Sequence, residues 1–253
     1  MGKIISIVNQ KGGVGKTTTA INLSTFLSSF GKKILLIDLD SQGNATTGFG
    51  ISRNKLNKCV YDFLLNNESY NDIVLKTSFK DLSLIPSTIN LAGAEIELVN
   101  MKEREYILSN KLINIKDKFD FIFIDCPPSL GIITINALCA SDSIIIPLQC
   151  EYYALEGLTS LLNTISLVQR RYNQNLKIEG ILLTMYDSHT SLSHQVAIEA
   201  INYFKDQVYK TMIPRNVRLS EAPSYGKPII SYDPLCKGAE AYKNLAKEIL
   251  SYD

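Results

Sequence analysis

The stretch Ile4-Ile5-Ser6-Ile7-Val8-Asn9 leads directly into Gln10-Lys11-Gly12-Gly13-Val14-Gly15-Lys16-Thr17-Thr18. Its β-branched run predicts a strand, and the glycines end it. Beyond them Ile21, Leu23, Phe26, Leu27 and Phe30 carry a helical pattern that stops at Gly31. Strand, glycine loop and helix in that order suit a triphosphate. Glycines let backbone N–H groups approach phosphate oxygens, and the helix N-terminus adds partial positive charge. Lys16 is placed to reach the β- and γ-phosphates, and the Thr17 hydroxyl to ligate Mg2+. The loop departs from the strict G-x-x-x-x-G-K-[ST] pattern, because Gln10 stands at its first glycine and a second lysine, Lys11, comes early. Two other readings compete: a glycine turn with no ligand, and a dinucleotide site. The second lacks its third glycine, since Thr18 occupies that place.

Outward from the loop, short apolar runs alternate with helical patterns. Strands are expected at Ile34–Ile37, Leu82–Ile85, Phe121–Ile124, Ile144–Ile146, Ile178–Leu183 and Val208–Ile213. Several lack polar alternation, as a parallel sheet covered on both faces requires. A second helix carries Leu155, Leu158, Leu161, Leu162, Ile165 and Val168. The expected fold is therefore α/β, a doubly wound, mostly parallel sheet with helices on both faces and ligands at the carboxyl ends of its strands. With no repeat or linker, residues 1–253 read as a single domain, and the segment from about Arg53 to Asn114 is the least regular. Two strand ends carry acids: Asp38 and Asp40 after Ile34–Ile37, and Asp125 before Cys126-Pro127-Pro128. A carboxylate at such a place is a turn former about half the time. Two of them beside a phosphate loop favour chemistry, with Asp125 on the metal and Asp40 orienting the attacking water.

Composition bounds the rest. The 253 residues are 45% hydrophobic and 20% charged with a net charge of +1, which excludes disordered, collagenous and coiled-coil chains and leaves nucleic acid only a local patch. No stretch approaches the roughly 20 apolar residues of a membrane helix. The five cysteines form no C-x-x-C pair, which suits thiols in a reducing cytosol.

The segments Lys11 to Thr18, Asp38 to Thr46 (D-L-D-S-Q-G-N-A-T) and Phe123 to Gly131 (F-I-D-C-P-P-S-L-G) resemble the deviant-Walker P-loop ATPases. Ile146 to Gly157, Leu182 to Asp187, Ile213 to Ser224 and Tyr232 to Tyr242 resemble its ParA/Soj branch of chromosome and plasmid partition proteins, so the resemblance spans essentially the whole chain. It implies a Mg2+-dependent ATPase that closes into an ATP-bound sandwich homodimer, in which Lys11 reaches the partner's phosphates. It further implies that the dimer binds double-stranded DNA without sequence preference, that a ParB-like centromere-binding protein stimulates hydrolysis, and that the protein is cytoplasmic and nucleoid-associated. Catalytic roles then fall to Lys11, Lys16 and Asp40. Nucleotide contacts fall to Lys11, Gly12, Gly13, Val14, Gly15, Lys16, Thr17 and Thr18, with Pro214 and Asn216 beside the adenine. Thr17, Asp125 and Asp40 are assigned to the metal, and Arg218 with Arg215 to DNA.

The chain departs from the family pattern at His189, where Arg is usual, and at Ser41, where Pro is usual. A neutral His supplies little phosphate attraction near pH 7. Met185 and Tyr186 read as packing residues and His194 as a surface residue of a helix. A MinD-like positioning ATPase acting at a membrane or pole without DNA is the alternative. Against it, Lys243 and Lys247 are balanced by Glu240 and Glu248, so the apolar face of Tyr242, Leu245, Ala246, Ile249 and Leu250 is expected to dock on the core. The first strand begins almost at Met1, so no N-terminal helix-turn-helix is expected.

Overall fold

The structure, a computed structural model, describes residues 2–66, 68–151 and 154–252, with the side chains of residues 154–156 and 252 excepted. The expected helical position Leu155 and the motif residues Tyr152 and Tyr153 lie outside the described side chains. In chain order the elements begin β1 (Lys3–Ile7), α1 (Lys16–Ser29), β2 (Ile34–Asp38), α2 (Asn44–Gly48), α3 (Val60–Leu65) and α4 (Tyr70–Ile73). They continue with β3 (Leu75–Lys76), β4 (Leu82–Ile85), α5 (Leu91–Leu98), α6 (Ile107–Leu112), β5 (Phe121–Asp125), α7 (Ile132–Ala140) and β6 (Ser143–Gln149). The last are α8 (Ala154–Arg171), β7 (Lys177–Thr184), α9 (Ser191–Phe204), α10 (Val217–Glu221), α11 (Ile229–Tyr232) and α12 (Lys237–Tyr252).

The seven strands form one sheet in the order β3-β4-β2-β5-β1-β6-β7, parallel except for the antiparallel β3–β4 pair. Successive side chains on a strand face opposite ways, and the core divides accordingly. Leu35, Ile37, Ile122 and Ile124 belong to a cluster covered by α3, α5, α6, α7, α8 and α9. Ile34, Leu36, Phe121 and Phe123 belong to the other, covered mainly by α1 and α12. Burial on both faces is why these strands show no polar alternation. Tyr242, Leu245, Ala246 and Ile249 are buried, so the apolar face of α12 docks on the core as expected. No helix among the described residues is long and apolar enough to cross a membrane.

One expected strand is absent. Val208–Ile213 returns to β7 only where the N–H of Tyr209 donates to the Ile181 carbonyl and that of Ile213 to Leu183. Between them the N–H groups of Lys210 and Thr211 donate instead to the Glu248 carboxylate of α12, at 2.7 and 3.0 Å. The helix thus takes the Thr211 amide that a regular ladder would use, together with its neighbour. Conversely β3, only two residues long, falls in the segment read as irregular.

Three neighbouring strands bring the chemistry together. Ile7 at the end of β1 and Asp38 at the end of β2 both align with Asp125 at the end of β5. The phosphate loop and all three acids therefore meet at one edge of the sheet.

Candidate nucleotide site

The loop between β1 and α1 holds Gly13 at φ 75° and Gly15 at φ 89°, in the left-handed region where side chains are strained. Among the described residues, the amides of Gly12, Gly13, Val14 and Gly15 donate to no protein acceptor, and the first N–H groups of α1 have no intrahelical partner. A row of free donors at a helix N-terminus fits phosphate oxygens.

The loop's two lysines sit in opposite surroundings. Lys16 is 7% exposed and donates to the Lys11 carbonyl at 3.1 Å. Burial pushes its ammonium pKa down, against the opposing pull of Asp125, Cys126 and Asp40. The Lys11 side chain is 39% exposed and pairs with Glu151 at 3.2 Å. Glu151 also lies 3.7 Å from Arg215 and accepts from the Gln149 amide.

The acids divide their work in a way the sequence did not reveal. Asp38 is fully buried and accepts from the Thr46 N–H and hydroxyl at 2.8 and 2.7 Å and from the Asp40 N–H at 3.2 Å. Burial nevertheless raises its pKa to about 6, although these donors oppose the rise. Asp38 thus ties β2 to α2 and shapes the turn carrying Asp40. Asp40 is also buried, 8% exposed, with one carboxylate oxygen accepting from the Gln42 N–H at 2.9 Å.

Asp125 is equally buried, yet neither carboxylate oxygen meets a hydrogen-bond donor among the described residues. The Thr17 hydroxyl is close enough to favour its charged form but lacks hydrogen-bond geometry here. Burial first, then the Asp38 carboxylate, drives the Asp125 pKa well above the usual range. A buried carboxylate with no donor asks for a cation. No three His, Cys, Asp or Glu side chains among the described residues form a self-contained cage. Mg2+ needs none, since it keeps waters and shares phosphate oxygens, so Asp125, Thr17 and Asp40 fit it.

Beside the loop a cavity of about 250 Å3 is lined by Gly15, Thr18, Met185, Pro214, Asn216 and Leu219, among others. Pro214 and Asn216 are therefore brought to the phosphate loop. Asn216 also caps α10, its side chain accepting from the Leu219 N–H. Met185, read as packing, lines this cavity with φ 50°. Thr184 and Tyr242 line it too and were not foreseen. Only the Leu182 to Asp187 motif pointed toward Thr184. Arg215 lines the same cavity, whereas Arg218 sits on α10, 54% exposed and paired with Glu221 at 3.0 Å and Asp233 at 3.4 Å. His189 is exposed in the loop after β7, its N–H donating to Asp187. His194 is exposed on α9 and hydrogen-bonded to the Tyr186 hydroxyl.

A glycine loop at a helix N-terminus, an unsatisfied buried aspartate one strand away and a flanking cavity together define a P-loop nucleoside triphosphatase. Residues 2–178 match the AAA domain family. The chain is 60% identical over 249 residues to the sporulation initiation inhibitor protein Soj of Bacillus subtilis (strain 168), covering 98% of each. It is 52% identical over 253 residues to the chromosome-partitioning ATPase Soj of Treponema pallidum (strain Nichols), covering 100% of this chain and 99% of that protein. Among solved structures, the cobyrinic acid a,c-diamide synthase of Mycobacterium smegmatis with bound ADP and magnesium superposes with a TM-score of 0.88 at 37% identity, covering 100% of this chain and 95% of that one. The chain belongs to the Soj/ParA family of chromosome-partitioning proteins and is a Mg2+-dependent ATPase.

Proposed function

We propose that ATP binding closes two copies of this chain face to face, and that the closed dimer binds DNA without sequence preference until hydrolysis releases it. The observation that carries this reading is the contrast between the loop lysines. Lys16 is buried within its own site, while Lys11 is held at the surface by an exposed carboxylate. An exposed ion pair is worth no more than about 1 kcal/mol, so Lys11 can exchange Glu151 for the phosphates of a second copy. A triphosphate whose charge one subunit leaves partly uncompensated then favours dimer over monomer.

Within each subunit the loop amides and Lys16 bind and orient the triphosphate, with Pro214 and Asn216 beside the base. Thr17, Asp125 and Asp40 would hold Mg2+, which supplies charge neutralisation at the phosphates. Asp40 accepts a hydrogen bond from the attacking water and fixes its line of approach. Loss of the γ-phosphate removes what Lys11 had reached for, and the dimer opens. Arg218 and Arg215 contact DNA phosphates, and a ParB-like protein bound at centromere-like sites speeds hydrolysis. This cycle segregates a chromosome or plasmid over the nucleoid.

The test is binding to random-sequence duplex DNA at low salt without nucleotide, with ADP–Mg2+ and with ATP–Mg2+. Binding only with ATP–Mg2+ is expected. Absence of binding in all three, together with ATP-dependent binding to anionic vesicles, would replace this reading by a MinD-like one.

A further inference from the structure

We propose that the Thr184 hydroxyl is the positioning group that aims a phosphate-loop amide at the nucleotide. Thr184 closes β7, two strands from the strand that launches the loop. It is buried, and its hydroxyl donates to the Val14 carbonyl at 2.9 Å. Val14 C=O and Gly15 N–H lie on opposite edges of one planar trans peptide, so fixing the carbonyl fixes the amide. A carbonyl held toward β7 turns the Gly15 N–H away from it, and that amide has no protein acceptor among the described residues.

The loop cannot hold this orientation alone. Gly13 and Gly15 flank Val14, and glycine reorients its peptides at little steric cost. The anchor, by contrast, is rigid. The Thr184 carbonyl accepts from the Cys150 N–H at 3.1 Å, Gln149 and Thr184 are in register between β6 and β7, and the Tyr186 N–H donates to Ile213 at 3.0 Å. The Thr184 methyl lies 3.7 Å from where a Gly15 Cβ would stand, an ordinary contact, so the hydroxyl and not the bulk of the residue sets the peptide direction.

The proposal rests on nucleotide binding alone and is independent of the dimer and DNA steps. Its test compares Thr184→Val, which keeps shape and burial but loses the donor, with Thr184→Ser, which keeps the donor. ADP–Mg2+ affinity, kcat and KM for ATP, and melting of the nucleotide-free protein are measured in full-length chains. Thr184→Val is expected to weaken ADP about ten-fold or more, the scale of a hydrogen bond to a charged group. The defect should fall on KM, with kcat changed by no more than a few-fold. Thr184→Ser should bind within about three-fold of wild type, because it restores the donor. Adenosine, which carries no phosphate, should compete for the site equally in all three proteins. Wild-type ADP affinity in Thr184→Val, an equal loss in Thr184→Ser, or unequal competition by adenosine would each overturn the assignment. So would lowered melting with unchanged ADP affinity, which marks a packing role only.

Discussion

Replacing Asp125 by Asn should make the nucleotide-free protein more stable while damaging its response to Mg2+. Asp125 is fully buried, has no donor on either oxygen among the described residues, and faces Asp38 in register across β2 and β5. Leaving a buried polar group unsatisfied costs about 1–3 kcal/mol, and more when the group is charged. The Asn amide is isosteric and stays buried, so the part due to charge is recovered, about 1–2 kcal/mol. For a chain of this size each kcal/mol moves Tm by about 2–4 °C, so a rise of roughly 2–8 °C is expected. The pH dependence has a definite sign. A carboxyl whose pKa is raised on folding holds its proton in the native state at pH values where the unfolded chain has lost it, so native stability falls as pH rises above about 4. The advantage of Asp125→Asn should therefore widen as pH rises above about 4. Asp38, with its pKa raised to about 6 by burial, has the same sign, and because its carboxylate is one cause of the Asp125 shift its titration stays in the difference. Ligand reverses the order: at a hundred-fold excess over Kd, ATP–Mg2+ stabilises the wild type by about 2.7 kcal/mol, and the variant should lose the Mg2+-dependent part. Melting followed with and without ATP and Mg2+ across pH reads all of this. A variant that melts below wild type without nucleotide, or an advantage that narrows as pH rises, would refute the assignment of Asp125 as a buried acid whose oxygens meet no hydrogen-bond donor among the described residues.

Lys16→Ala should abolish detectable ATP binding in a fluorescence titration, since Lys16 is the one buried cation of the loop; normal turnover would remove it from the site. Asp40→Ala should still bind ATP but lose at least ten-fold in hydrolysis. It should accumulate as dimer in light scattering, and a monomer that turns over normally would contradict its role. Arg218→Ala should weaken DNA binding evenly across sequences and lower the salt slope by about one unit. Because Arg218 already pairs with Glu221 and Asp233, Glu221→Gln should strengthen the same binding, and an unchanged slope in Arg218→Ala would remove this residue from the DNA surface.

What can be read along the chain is what local chemistry forces. The order strand, glycine loop, helix needs only residues 4–31, and the all-apolar strands announce a sheet buried on both sides without any partner being known. The same holds for Lys16, Thr17 and Asp125, whose places follow from one strand end each. Tertiary structure decided everything that depends on a group far away in sequence. Asp38 and Asp125 look alike as strand-ending acids, but Thr46 satisfies one and no donor among the described residues satisfies the other. Val208–Ile213 has the composition of a strand, but Glu248 takes two of its amides. The loop amide at Gly15 owes its direction to Thr184 at the end of β7, and Lys11 meets Glu151 only because β6 lies beside β1. Periodicity and propensity describe a residue against its near neighbours. A buried donor or acceptor is settled by whichever partner the fold delivers, and here those partners stand on other strands and helices.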